Sequence, residues 1–249
     1  MTFAWVAFGF YAALAVAAGL GFWVGLRAQD DPIDRARATT WQTALLALCG
    51  LLIGFTFSMA ESRFARRKQF LAEEANAIGT TYLRTRMLDD PAGESMRALL
   101  RRYVDARLEF VNSAADDRRG SQALRRSSDL ENQMWSLVVA AGRAEVRPHM
   151  TSLLVQATNQ MFDAASIHQA AVESPMPLTV FLVLMLATAA ATASIGYACG
   201  LEKRPSAHGM IIMPLLLGTV ILLVFDLGHP RVGIVRVGDP ILVHLKESL

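Results

Sequence analysis

The sequence predicts an all-α membrane protein, with four transmembrane helices and a helical cytoplasmic domain inserted between spans two and three. Three observations predict it. Hydrophobic residues make up 53% of the 249-residue chain and charged residues only 18%. The apolar residues gather in runs without Asp, Glu, Lys or Arg: Phe3–Leu26, Trp41–Ala60, Met176–Leu201 and Gly209–Phe225. Between the second and third runs the apolar residues recur at helical spacing, and no period-two alternation longer than four residues occurs outside the short tail segment Ile234–Val237. A bilayer core asks a helix for about 17–25 apolar residues, which these runs supply. A soluble enzyme, a disordered chain and a secreted disulfide scaffold are excluded on the same grounds.

The elements follow in order. Phe3–Leu26 lacks a basic leader and is longer than a signal-peptide core, so it reads as a retained first span. Trp5, Phe8, Phe22 and Trp23 sit near its two ends, where interfacial aromatics belong. Arg27–Thr40 is expected to be a polar link. Span two, Trp41–Ala60, meets no breaker before Met87, so its helix is expected to continue out of the membrane. Residues 1–60 thus form the first membrane segment, 61–175 a cytoplasmic helical domain, 176–226 the second membrane segment and 227–249 a cytoplasmic tail, expected to be extended.

Within 61–175, Phe64, Leu71 and Ile78 recur every seven residues, a bundle-type seam. Further helical stripes run through Met96, Leu100, Tyr103 and Val104, through Leu130, Met134 and Leu137, and through Met150, Leu154, Ala157, Met161 and His168. Pro148 suits a first helical turn. Asp226 is expected just beyond span four.

Juxtamembrane basic residues set orientation. Arg63, Arg66, Arg67 and Lys68 follow span two, and Arg231 and Arg236 follow span four; Arg27, Arg35, Arg37, Lys203 and Arg204 lie on the other side. The local cluster after span two places the helical domain and both termini in the cytoplasm.

The chemistry these spans can support is narrow. They carry no ionisable side chain beyond Cys and Tyr, which argues against an ion-coupled transporter needing a midplane carboxylate. No Walker loop, nucleophile elbow or metal-ligand spacing occurs, so no catalytic residue, metal or cofactor is expected. Cys49 and Cys199 read as apolar packers. Basic and acidic residues nearly balance in 61–175, which argues against nucleic acid. Glu73 and Glu74 are adjacent and point about 100° apart on a helix, so they read as solvated or intersubunit charge rather than a catalytic dyad.

Span two carries the candidate site. Gly50-x-x-x-Gly54 puts two glycines on one face and permits close helix contact, which reads as packing within the chain. Ala47, Leu51 and Phe55 form a neighbouring stripe. Such a stripe faces lipid or core, or, repeated around a symmetry axis, makes a hydrophobic constriction that gates by dewetting.

The segment Gly54-Phe55-Thr56-Phe57-Ser58-Met59-Ala60, then Arg63-Phe64, Arg66-Arg67, Glu73-Glu74-Ala75-Asn76-Ala77-Ile78-Gly79-Thr80 and Tyr82-Leu83-Arg84, resembles the bacterial bestrophin-homologue-like membrane proteins, relatives of the bestrophin ion channels. Tyr103-Val104-Asp105-Ala106-Arg107 and the tail Asp226-Leu227, Pro230-Arg231, Gly233 and Arg236-Val237 fit the same set. The resemblance implies a homo-oligomer, a pentamer with one central pore, in the bacterial inner membrane, passing small ions of either sign and needing no cofactor. It implies a pore neck of Phe55, Leu51 and Ala47, with Ala47 small where the family has a bulky residue. Met59, Arg63, Arg66, Arg67, Glu73, Asn76 and Thr80 would line the mouth and vestibule, with Lys68 adding to the field. Asp226 stands alone where animal relatives carry an acidic calcium cluster, so calcium gating of that kind is not implied. The rival reading is a non-conducting scaffold or sensor whose cytoplasmic helices bind a partner.

Overall fold

The computed structural model describes residues 2–28, 31–113, 117–144, 148–174, 176–203, 206, 208–228 and 240–249. Among these residues every regular element is helical. The helices are α1 (Thr2–Arg27), α2 (Pro32–Arg84), α3 (Ala92–Asn112), α4 (Asp117–Arg143), α5 (Pro148–Glu173), α6 (Leu178–Leu201), α7 (Met213–Gly228) and α8 (Pro240–Ser248). A short 3-10 turn, Thr85–Met87, follows α2, and a π-helical turn, His208–Ile212, leads into α7. By length and composition, the helical stretches containing α1, the first part of α2, α6 and α7 can each cross a membrane. The chain is a membrane protein.

Two compact units divide the chain: Met1–Arg63 with Met176–Val235, and Phe64–Pro175 with Arg236–Leu249. In the first unit, Phe10, Leu14, Ala60, Met176, Phe181, Leu184, Ile221 and Val224 make the core. Glycine brings α1 and α6 together. A Cβ on Gly21 would overlap the Ala193 carbonyl, one on Gly25 the Tyr197 carbonyl, one on Gly196 the Ala18 carbonyl and one on Gly200 the Phe22 carbonyl. Without a hydrophobic drive between helices in lipid, such close backbone approach is how spans adhere. Hydroxyls in this unit are satisfied locally: Thr56 donates to the Leu52 carbonyl (2.8 Å) and Thr188 to the Leu184 carbonyl (2.8 Å). Tyr11 and Thr219 share a hydrogen bond of 2.9 Å between α1 and α7.

The second unit is a helical bundle around Leu71, Ile78, Met96, Leu100, Tyr103, Leu130, Met134, Leu154 and Met161. The Thr81 hydroxyl donates to the Ala157 carbonyl (3.1 Å) and Arg84 to the Leu153 carbonyl (2.6 Å), so α2 and α5 run antiparallel. Tyr103 meets Glu131 (2.9 Å) and Glu109 meets Arg126 (2.7 Å), which makes α3 and α4 antiparallel as well.

Three expectations need correction. The link Arg27–Thr40 is far shorter, because α2 starts at Pro32. The Asp31 carboxylate accepts the Ile33 N–H (3.0 Å) and Pro32 occupies the first turn, a start signal inside a polar stretch. The tail is not extended over its last residues: Pro240–Ser248 is helix. Leu242 is fully buried in the bundle core, Lys246 pairs with Asp105 (2.7 Å), and Leu245 lies against Gly79. Asp226 lies inside α7 and is buried, rather than following the span. Arg204, Pro230, Arg231, Gly233, Arg236 and the segment Ile234–Val237 lie outside the described residues.

Candidate functional site on the second helix

The candidate site is the face of α2 that the rest of its unit leaves open. Helical geometry advances 100° per residue, so Ala47, Leu51 and Phe55 form a slowly drifting stripe. Cys49, Thr56 and Ala60 point the opposite way and are buried, Cys49 and Ala60 completely. Phe55 is 66% exposed and Leu51 56% exposed, and Ala47 is exposed with them. Met59 is also exposed, at the edge of this stripe. Gly50 and Gly54 do not pack within the chain: a Cβ on either would meet nothing within 4 Å. The expected intramolecular role falls instead to the glycines of α1 and α6, whose Gly21-x-x-x-Gly25 and Gly196-x-x-x-Gly200 spacings were equally visible in the sequence.

In the helical bundle, Glu73, Asn76 and Thr80 are exposed together on α2, and the Gln69 side-chain amide donates to the Glu73 carboxylate (2.8 Å). The basic cluster splits. Arg66 and Lys68 are exposed and Arg63 is half-buried, but Arg67 is 2% exposed. Arg67 therefore does not line a mouth with Arg66. It lies three residues after Phe64, on the bundle side of the helix.

Glu74 is corrected in the same way. It is neither solvated nor intersubunit charge: it is completely buried and holds three helices together. The Arg107 guanidinium of α3 grips both carboxylate oxygens, through Nε to Oε1 and through Nη2 to Oε2 (3.0 Å). His168 of α5 places Nδ1 2.6 Å from Oε2. Arg107 also donates to the Ala165 carbonyl (3.3 Å) and lies over the Phe110 ring, and Phe110 meets the His168 ring edge to face. Burial by itself would raise the Glu74 carboxyl. The His168 hydrogen bond and the Arg107 charge outweigh it and hold the group below the usual carboxylate range. Next to this cluster, burial pushes the Tyr103 hydroxyl well up, and burial also raises Glu131, which accepts the Tyr103 proton.

The signal for these burials was present. Positions three after Phe64, Leu71 and Ile78 form the second line of the same seam, and they are Arg67, Glu74 and Thr81. All three are buried. Residue type pointed outward while spacing pointed inward, and spacing decided. Among the described residues, no group of three or more His, Cys, Asp or Glu gathers as a metal site would require.

Four membrane-competent helical stretches, a second helix that runs on into a helical bundle and an apolar stripe left open on that helix define a class: multi-pass helical membrane proteins built around a shared span. The chain belongs to the bestrophin-like family, whose domain it matches over residues 9–241. Among solved structures it is similar to a bacterial bestrophin homologue from Klebsiella pneumoniae, with 11% identity, a TM-score of 0.66, and coverage of 95% of this chain and 94% of that one. A single-residue variant of that homologue aligns with a TM-score of 0.67 at 10% identity over 100% of this chain and 96% of that one. A crystal structure described as a membrane protein variant gives 0.68 at 11% identity over 96% and 95%. At such identities the likeness is one of fold. No curated protein matches by sequence.

Proposed function

We propose that this chain is one subunit of a homopentameric ion channel of the bacterial inner membrane, with the helical domain and both termini in the cytoplasm. Membership of the bestrophin-like family supports an ion channel at the level of the family. The observation that carries the finer reading is the open apolar stripe on α2, exposed along one face while the opposite face packs inward. In this reading α2 copies surround an axis. Phe55 and Leu51 form a dewetting neck, and Ala47 makes a wider ring beside them. The same helical phase, carried along α2, meets the polar residues Ser58, Ser62, Gln69, Asn76 and Thr80, as a water-filled passage requires and a lipid-facing stripe does not. Met59, Arg63 and Arg66 border the mouth, and Glu73, Asn76 and Thr80 line the vestibule. Arg63, Arg66 and Lys68 after span two favour a cytoplasmic bundle.

The test is reconstitution in a planar bilayer. The wild type should pass ions, and Phe55→Ala should raise the current by widening the neck. Silence from both proteins would favour a scaffold or sensor instead.

A further inference from the structure

We propose that the exposed arginine face at the start of α4 is a docking surface for anionic lipid headgroups. This holds whether or not the chain conducts. Arg118, Arg119, Arg125 and Arg126 are all exposed, whereas Gly120, Ala123, Ser127 and Leu130 of the same turns are buried against the bundle. The helix therefore sorts its first turns into an apolar inner face and a basic outer one. Arg126 is partly neutralised by Glu109 at 2.7 Å, and Asp129 follows one turn on, so Arg118, Arg119 and Arg125 carry most of the positive field.

Chain direction decides what this face meets. Antiparallel pairing puts the α3–α4 corner at the end of the bundle shared with Phe64 and Glu173: Glu74 pairs with both Arg107 and His168, whereas Arg84 and Leu153 mark the far end. A Cβ on Gly120 would lie 2.8 Å from the Ser113 hydroxyl, which pins the corner itself. Phe64 is four residues from the last residue of span two, so this is the end from which the chain passes directly into its apolar spans. Arg125 lies roughly 8 Å along the helix from Gly120 at 1.5 Å per residue, within reach of an interface for a side chain of that length. Basic side chains beside a membrane are drawn to acidic lipid, and guanidinium groups grip phosphate through paired donors.

The experiment uses the full chain in neutral detergent, titrated with phosphatidylglycerol or phosphatidylcholine, reading the rise in unfolding temperature as lipid binds. Phosphatidylglycerol should stabilise more, and salt should weaken the effect. Arg118→Glu with Arg119→Glu should weaken the phosphatidylglycerol response on the order of tenfold or more. Arg86→Glu with Arg143→Glu, at the far end of the bundle, should leave it intact, and Arg118→Lys with Arg119→Lys should retain most of it, which separates a lost site from a lost fold. Equal stabilisation by both lipids would overturn the proposal, as would equal loss in both reversal pairs. It would also fail if the corner pair broke the oligomer while leaving the lipid preference untouched, since the face would then join copies of the chain.

Discussion

At the scale of the residue, Glu74 shows how a buried charge is tolerated. Both oxygens are occupied, by Arg107 and by His168, so no lone charge is left in the core. Removing one partner of such a pair typically costs about 3–5 kcal/mol. Glu74→Ala should accordingly lower the unfolding temperature of the bundle strongly, and thermal scans in detergent would show it. The acid dependence has a definite sign. The carboxyl is held below its ordinary range in the fold, so its stabilisation is complete above the unfolded-state value and is lost as pH falls through the lower folded value. Glu131 acts in the opposite sense: burial raises it, so it opposes folding as pH rises past the ordinary carboxylate value. In Glu74→Gln the acid-side loss should be smaller than in wild type, measured as unfolding temperature against pH. The Phe64–Leu71–Ile78 seam was legible in the sequence because apolar spacing marks it, while Arg67, Glu74 and Thr81 were not, because their partners sit on α3 and α5 and no local pattern links positions so distant.

At the scale of the element, helix packing separates two kinds of glycine. Gly21, Gly25, Gly196 and Gly200 stand where backbone meets backbone, so Gly196→Leu must push α1 and α6 apart. Overpacking a core ordinarily costs about 1–3 kcal/mol, and a clash with backbone, which cannot rotate away, should exceed that. The checkable outcome is loss of folded protein after membrane extraction. Gly54→Ala meets open space within one chain and should leave the monomer's folding unchanged. The α2 start offers a milder test: Asp31→Ala removes the hydrogen bond to Ile33 and should cost about 1 kcal/mol. Helix positions were legible wherever a long run kept one period. The early start of α2 was hidden because polar residues fill Pro32–Thr40, and α8 because its few apolar positions, Leu242 and Leu245 among them, are too short a run to show a period.

At the scale of the whole molecule, the proposed ring of α2 copies makes a covalent prediction. Cys49 and Cys199 are both buried, so Ser58→Cys places a new, accessible thiol on the open stripe. If the stripes surround a common axis, mild oxidation should produce disulfide-linked dimers on a denaturing gel. A variant that stays monomeric, and reacts fully with a lipid-soluble maleimide, would put that face in the bilayer and sink the ring. The architecture of spans and inserted bundle was readable from hydropathy alone, whereas the number of copies is a property of surfaces that meet between chains.

The seam between α1 and α6 inverts a common recipe of protein engineering. Replacing helical glycine by alanine usually stabilises, because it restricts the unfolded chain and improves helix propensity. Applied uniformly here, the recipe would wreck the fold at Gly21, Gly25, Gly196 and Gly200, while Gly9 and Gly19, which face open space, should accept it with a gain. Anyone thermostabilising this protein must therefore choose glycines by their neighbours across the helix pair, not by the helix they occupy.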